Sequence, residues 1–268
     1  MAIKAAYFDW NGTLVKDRDD VGLLDAIRYK VQWGRFNPFG ERGRARYHSK
    51  PFWALWKLKS EVDRLYASLK TGAEPEEVYK KIYDKYNHGV VEGLPIGFVN
   101  RVVGVYSEGA SKRLDLEVLE QIRKARMESR NLQLVVVGPS AGYGDGIRKT
   151  LRHVNYDDVF RKVMANRLEA MNEGKHAKRF GLEILGSEIK KEVLEEDLAM
   201  MDIHPAETAY MGDSQADWGC FDFLAEAGGV PIVAPMASRM FKEQTASRYG
   251  AKVFIPANAG EVGRVLKG

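Results

Sequence analysis

The sequence predicts an α/β protein: a doubly wound parallel-sheet core with a helical cap domain inserted after the first strand. Three observations carry this. Short apolar runs that read as buried strands alternate with charged, helix-like stretches of roughly 10–15 residues. Residues 17–111 break that rhythm with helical, aromatic-rich sequence. Three of the apolar runs end in an acid or a hydroxyl, at the strand ends where open α/β sheets bind ligands.

In chain order, residues 3–8 (IKAAYF) form a short apolar run closed by an acid-Gly-Thr turn, which reads as a buried strand. Helical character follows over 21–32, 51–69 and 75–86, inside the inserted segment. Leu116, Leu119, Ile122 and Ala125 lie near helical spacing in 115–129, with Glu and Lys between them. Residues 132–137 (LQLVVV) form the next strand, stopped by Gly138-Pro139. A Glu- and Lys-rich helix over 187–201 leads through His204-Pro205 to a strand at 208–211. Two more strands are expected at 231–234 and 252–255, with a helix over 238–248 between them. The expected domains are therefore a core of 1–16 plus 112–268 and a cap of 17–111.

Composition bounds the function. The chain has 268 residues, 45% hydrophobic and 29% charged, which excludes a disordered protein. A net charge of +4 is too mild to imply nucleic acid by itself. The single cysteine, Cys220, has no intramolecular partner, which suits a reducing compartment. No apolar run reaches the roughly 18 residues of a membrane helix, and the first residues do not resemble a signal peptide. The expectation is a soluble, cytoplasmic protein without a membrane partner. The five histidines show no metal-ligand spacing and read as surface or packing residues.

The strand ends carry the chemistry. The first strand ends in Asp9-Trp10-Asn11-Gly12-Thr13, the second runs into Ser140-Ala141, and the 208–211 strand runs into Gly212-Asp213-Ser214-Gln215-Ala216-Asp217. Asp9, Asp213 and Asp217 would repel one another unless a cation neutralised them, and oxygen donors suit Mg²⁺. The hydroxyls of Thr13 and Ser140, with the N–H groups of Gly12 and Ala141, are apt for phosphate oxygens. A balancing lysine is available at Lys190 or Lys191.

The order Asp9-x-x-Gly12-Thr13, strand-end Ser140, lysine, Gly212-Asp213-Ser214-x-x-Asp217 resembles the haloacid dehalogenase-like superfamily, chiefly phosphatases. The segments Ser140-Ala141-Gly142-Tyr143 and Met164-Ala165-Asn166-Arg167-Leu168-Glu169 are similar to its phosphoserine phosphatase branch. The resemblance spans roughly 1–16 and 112–230. It implies that Asp9 is a nucleophile forming an aspartyl-phosphate, and that Thr13, Ser140 and Ala141 hold the phosphoryl group. Lys190 would neutralise that group, its spacing of 23 residues to Asp213 suiting the family, with Lys191 as rival. Mg²⁺ would be held by Asp9, the Asn11 backbone carbonyl and Asp213, with Asp217 a ligand through water or an orienter of Lys190. The substrate would be a small phosphorylated metabolite.

Asn11 departs from the pattern, since most phosphatases of that superfamily carry there a second aspartate that serves as acid and base. An amide hydrogen-bonds but does not transfer the proton, a loss typically worth about 10²–10⁴ in rate. Three readings follow: a slow phosphatase favouring good leaving groups, a site using another acid or another chemistry, or a phosphate-binding protein with little turnover. A different alternative rests on residues 28–59, where Arg42, Arg44 and Arg46 interleave with aromatics and would suit single-stranded nucleic acid. A cap whose aromatics form its own core is the preferred reading of that segment. A dehalogenase fits less well, because Thr13, Lys190 and the Asp213/Asp217 pair suit phosphate and Mg²⁺.

Overall fold

Five parallel strands form one sheet in the order β3-β2-β1-β6-β7, with β1 at its centre. The computed structural model describes residues 2–16, 22–33, 52–69, 75–138, 144–171, 173–180 and 186–268. The strands are β1 (Ala5–Asp9), β2 (Gln133–Gly138), β3 (Lys162–Ala165), β6 (Thr208–Gly212) and β7 (Val230–Val233). β1 and β6 are buried along their whole length, as an apolar run needs when helices cover both faces. Asp9 pairs with Val137, Phe8 with Met211 and Gly212 with Val233, so the carboxyl ends of the strands form one level edge.

The helices around the sheet take the boundaries their caps dictate. In α5 (Leu116–Glu128) the Asp115 carboxylate accepts the Val118 N–H at 3.2 Å. Its buried face is Val118, Leu119, Ile122 and Ala125, while Leu116 is half exposed, one position off the expected stripe. Ser238 and Asn258 cap α9 (Arg239–Tyr249) and α10 (Ala259–Lys267) in the same way. Between these come α6 (Gly144–His153), α7 (Gly186–Met201) and α8 (Trp218–Ala227).

The expected strand at 252–255 is not formed. A 3₁₀ turn takes Gly250–Lys252, and only Phe254 joins the sheet edge, exchanging backbone hydrogen bonds of 2.8 and 2.9 Å with Pro231 and Val233. Two bonds close the β7 edge without a sixth strand. Conversely, β3 and the antiparallel hairpin β4 (Leu168–Met171) with β5 (His176–Phe180) carry too little apolar sequence to be seen in advance. β3 is a half-buried edge strand stabilised by pairing with β2, a purely tertiary support.

The inserted segment has its own hydrophobic cluster. It is built on α1 (Gly22–Trp33), α2 (Phe52–Leu69), α3 (Pro75–Tyr86), a π-turn at Asn87–Val91 and α4 (Ile96–Ser111). Leu24, Ile27, Leu55, Ile82 and Val99 are buried together there, apart from the cluster under the sheet. The hairpin is drawn into this layer: Ala177 is buried in the cluster and bonds the Gly93 N–H and the Leu94 carbonyl at 2.9 and 2.7 Å. Where the insertion leaves the core the chain crosses itself, Lys16 N–H to Arg113 O and Asp115 N–H to Leu14 O, both at 2.8 Å. Most of the basic-aromatic stretch, 34–51, lies outside the described residues; Arg28 is buried and Trp56 exposed. No described helix is long and apolar enough to cross a membrane.

Candidate functional site

The site begins in the turn that follows β1. Trp10 O accepts the N–H groups of Leu14 and Val15 at 3.1 and 3.0 Å, and Gly12 N–H donates to Val15 O at 2.9 Å. The loop 10–15 is thereby folded on itself at the sheet edge, with Asp9 and Asn11 buried. Gly12 has φ of 71°, and a Cβ there would collide with the Asp213 carboxylate. Gly212 is needed for a related reason, since a Cβ would run into the Asp217 side chain. Gly12 allows the loop after β1 to approach the loop after β6 until their acids share one space, and Gly212 lets the latter loop fold Asp217 back against it.

Asp9, Asp213 and Asp217 each place a carboxylate oxygen within 4.8 Å of the other two, and all three are buried. Lys190, from the first turns of α7, reaches into this cluster. Its Nζ donates to Asp9 Oδ1 at 2.8 Å and to Asp217 Oδ1 at 2.6 Å, with the side chain 1% exposed. Lys191 points the other way, toward Glu188 and Glu195 at 4.0 and 3.9 Å. Asp217 is held from every side: Oδ1 also accepts the Tyr210 hydroxyl at 3.0 Å, and Oδ2 accepts the N–H groups of Asp213 and Ser214 at 3.0 and 3.2 Å. The Ser214 hydroxyl donates to Oδ2 as well.

The electrostatics follow from burial. Desolvation raises the Asp9 carboxyl well above the usual range; Lys190 opposes this, and Asp217 and Asp213 add to it. For Lys190, burial disfavours the charged form, yet Asp217 and Asp9 outweigh it and keep the ammonium protonated far above neutral pH. Burial, then Asp217, holds the Tyr210 hydroxyl well above the usual phenol range, so it is a donor. Among the described residues three acids converge on one ammonium, and the candidate ligands are all oxygen. That set fits a hard divalent cation such as Mg²⁺. Thr13 Oγ1 is fully buried at the same corner and finds no hydrogen-bond partner among the described residues, as suits a donor meant for an anion. Ser140 and Ala141 lie outside the described residues.

A second ion network anchors the far end of α7. Tyr7, two residues before Asp9 and on the same face of β1, donates to Asp197 Oδ2 at 2.8 Å. Lys162 and Arg161 reach the same buried carboxylate at 2.7 and 3.1 Å. Lys190 and Asp197 stand two turns apart on one face of α7, so β1 grips the helix at both ends and fixes Lys190 against Asp9. Burial raises the Asp197 carboxyl, but Lys162, Tyr7 and Arg161 more than offset this and hold it below the usual range. A carboxyl depressed in the folded state stabilises above its unfolded pKa, and that contribution is lost as pH falls through the folded value. Asp197→Asn is therefore expected to cost about 1–3 kcal/mol at neutral pH, with Lys162 and Arg161 partly solvated. The loss should shrink as pH falls below about 4, where the unfolded carboxyl takes up its proton first, and vanish only at the lower pH where the folded carboxyl is protonated too. Thermal melts of both proteins between pH 7 and pH 3 check this; parallel curves would refute it.

Sequence reasoning missed Tyr7, Tyr210 and Asp197. The one available signal was a tyrosine within each of two fully apolar strands, because a buried phenol demands a partner.

Solved structures match the whole chain. A phospho-aspartyl intermediate analogue of phosphoserine phosphatase is 20% identical, with 100% of each chain covered and a TM-score of 0.56. A substrate-bound phosphoserine phosphatase complex is 18% identical, again with 100% of each chain covered, at 0.57. A HAD family hydrolase from Salmonella enterica subsp. enterica serovar Typhi is 12% identical over 91% of this chain and 66% of that one, at 0.55. No family model matches the chain, and no curated protein matches it. At such identities the likeness establishes the fold.

Proposed function

We propose that this chain, which carries the fold of the haloacid dehalogenase-like superfamily, is a Mg²⁺-dependent phosphatase acting on a small phosphomonoester, with Asp9 as nucleophile. Residues 1–16 plus 112–268 form the core in this reading, and 17–111 the cap over the crevice. The observation that carries it is the contact of Lys190 with both Asp9 and Asp217, beside Asp213 and the unpartnered Thr13 hydroxyl.

Asp9, Asp213 and the Asn11 backbone carbonyl would hold the ion. Asp217, already accepting from Lys190, Tyr210, two N–H groups and Ser214, is suited to orient Lys190 or to meet the ion through water. Bound there, Mg²⁺ would offset the charge of the phosphate and of the acids around it.

In the first step an oxygen of Asp9 attacks phosphorus and the bond to the leaving oxygen breaks, that oxygen departing with the electron pair. In the second, water attacks the aspartyl-phosphate, orthophosphate leaves with the water oxygen, a proton passes to solvent, and the Asp9 carboxylate is restored. Lys190, Thr13, Ser140 and the Ala141 N–H would share the charge on the phosphoryl oxygens. The buried, pre-paired lysine needs little reorganisation to do so.

Release of phosphate from an aryl phosphate, with Mg²⁺ and with chelator, tests the reading. Turnover that depends on Mg²⁺ supports it. Absence of turnover together with absence of Mg²⁺-dependent orthovanadate binding would overturn it. Binding without turnover is the outcome that Asn11 favours as a second reading, because no proton can pass through its amide.

A further inference from the structure

Asp217 Oδ1 is shared by two donors, the Lys190 ammonium at 2.6 Å and the Tyr210 hydroxyl at 3.0 Å. The phenol comes from inside β6, seven residues upstream, with its ring set edge-on against Phe221 of α8 at 6.1 Å between centroids. Tyr210 is fully buried and pairs across the sheet with Tyr7, so the two phenols stand in one row. One grips Asp197 on α7; the other grips the acid that holds Lys190. The ring is fixed by packing and the oxygen by its acceptor.

We propose that Tyr210 is a positioning residue for the reaction, setting the Asp217 carboxylate so that Lys190 is aimed at Asp9 and the phosphoryl group. The inference rests on the phosphatase reading for its kinetic consequence, though not for its geometry. The backbone N–H groups of Asp213 and Ser214 secure Oδ2 only, leaving Oδ1 to the phenol and the ammonium. Without the hydroxyl, Oδ1 is restrained by the Lys190 ammonium alone, and the carboxylate and ammonium lose one of the contacts that set their position beside Asp9. A hydrogen bond to a charged group is strong enough to matter here.

Tyr210→Phe keeps the ring and removes only the oxygen. The expected result is a kcat about tenfold lower, with KM and thermal midpoint close to wild type. In an Asp217→Ala background the same change should cost almost nothing, since the acceptor it serves is gone. A direct readout is proton exchange of the Lys190 ammonium by ¹⁵N NMR, expected to quicken in Tyr210→Phe. Unchanged kcat with unchanged exchange would overturn the proposal, as would equal losses in both backgrounds. A fall in thermal midpoint matching the fall in kcat would overturn it in favour of plain packing. If the wild type shows no turnover, the phosphatase reading fails, and the exchange measurement still decides the role of Tyr210.

Discussion

Asp9→Asn is expected to lose turnover of an aryl phosphate by roughly 10³-fold or more while the protein stays folded. The amide has nearly the shape of the carboxylate but lacks the nucleophilic oxygen. Its fold should be unharmed because Lys190 keeps Asp217 as a partner, and one acid leaves a cluster whose members raise each other's proton affinity. Lys190→Met makes the opposite pairing of effects. It also removes turnover, but it strands Asp9 and Asp217 without their shared cation, and breaking a buried ion pair from one side costs about 3–5 kcal/mol. Phosphate release and thermal melts on the two variants separate the roles. Residual turnover in Asp9→Asn near the wild-type rate would remove Asp9 as nucleophile; an undamaged melt in Lys190→Met would mean that solvent, not Lys190, balances the acids.

The second large effect is a gain. Asn11→Asp is expected to raise kcat/KM on alkyl phosphates by about 10²–10⁴, and far less on aryl or acyl phosphates. Asn11 is buried in the folded loop two residues after Asp9, and in the phosphatase reading a carboxyl at that position would deliver a proton to the leaving oxygen. Good leaving groups depart as anions and gain little. A plot of log kcat/KM against leaving-group pKa measures this directly: steep for the wild type, shallow for the variant. Equal slopes would mean that a different residue already serves as the acid. Activity appearing only in the variant would mark the wild type as a protein that binds phosphate and does not turn it over.

The inner strands β1, β2 and β6 were legible because burial on both faces demands unbroken apolar runs, and the equally apolar β7 falls where expected beside them. The strand-end acids were legible too, since no packing role calls for Asp9 after β1 and both Asp213 and Asp217 after β6, all three buried. Edge structure was not. Residues 252–255 look as apolar as β7 yet supply a single bridge, while half-polar β3 forms a full strand by pairing with β2. Edge pairing depends on what the neighbouring strand offers, and a local sequence does not hold that information.

The choice between Lys190 and Lys191 shows the same division within the site. Composition and motif order called for one cation from that charged helix, and the 23-residue spacing to Asp213 favoured Lys190 with Lys191 as rival. Only the rotation of α7, set by burying Leu194 and Leu198 and by the Tyr7–Asp197 contact, turns Lys190 inward and leaves Lys191 among glutamates. The residue types that do chemistry, and the strands that present them, follow from short-range pattern and so can be read from the chain. Which of two neighbours reaches the acids, and which tyrosines brace them, depends on the rotation and spacing of elements up to 190 residues apart, and only packing sets those.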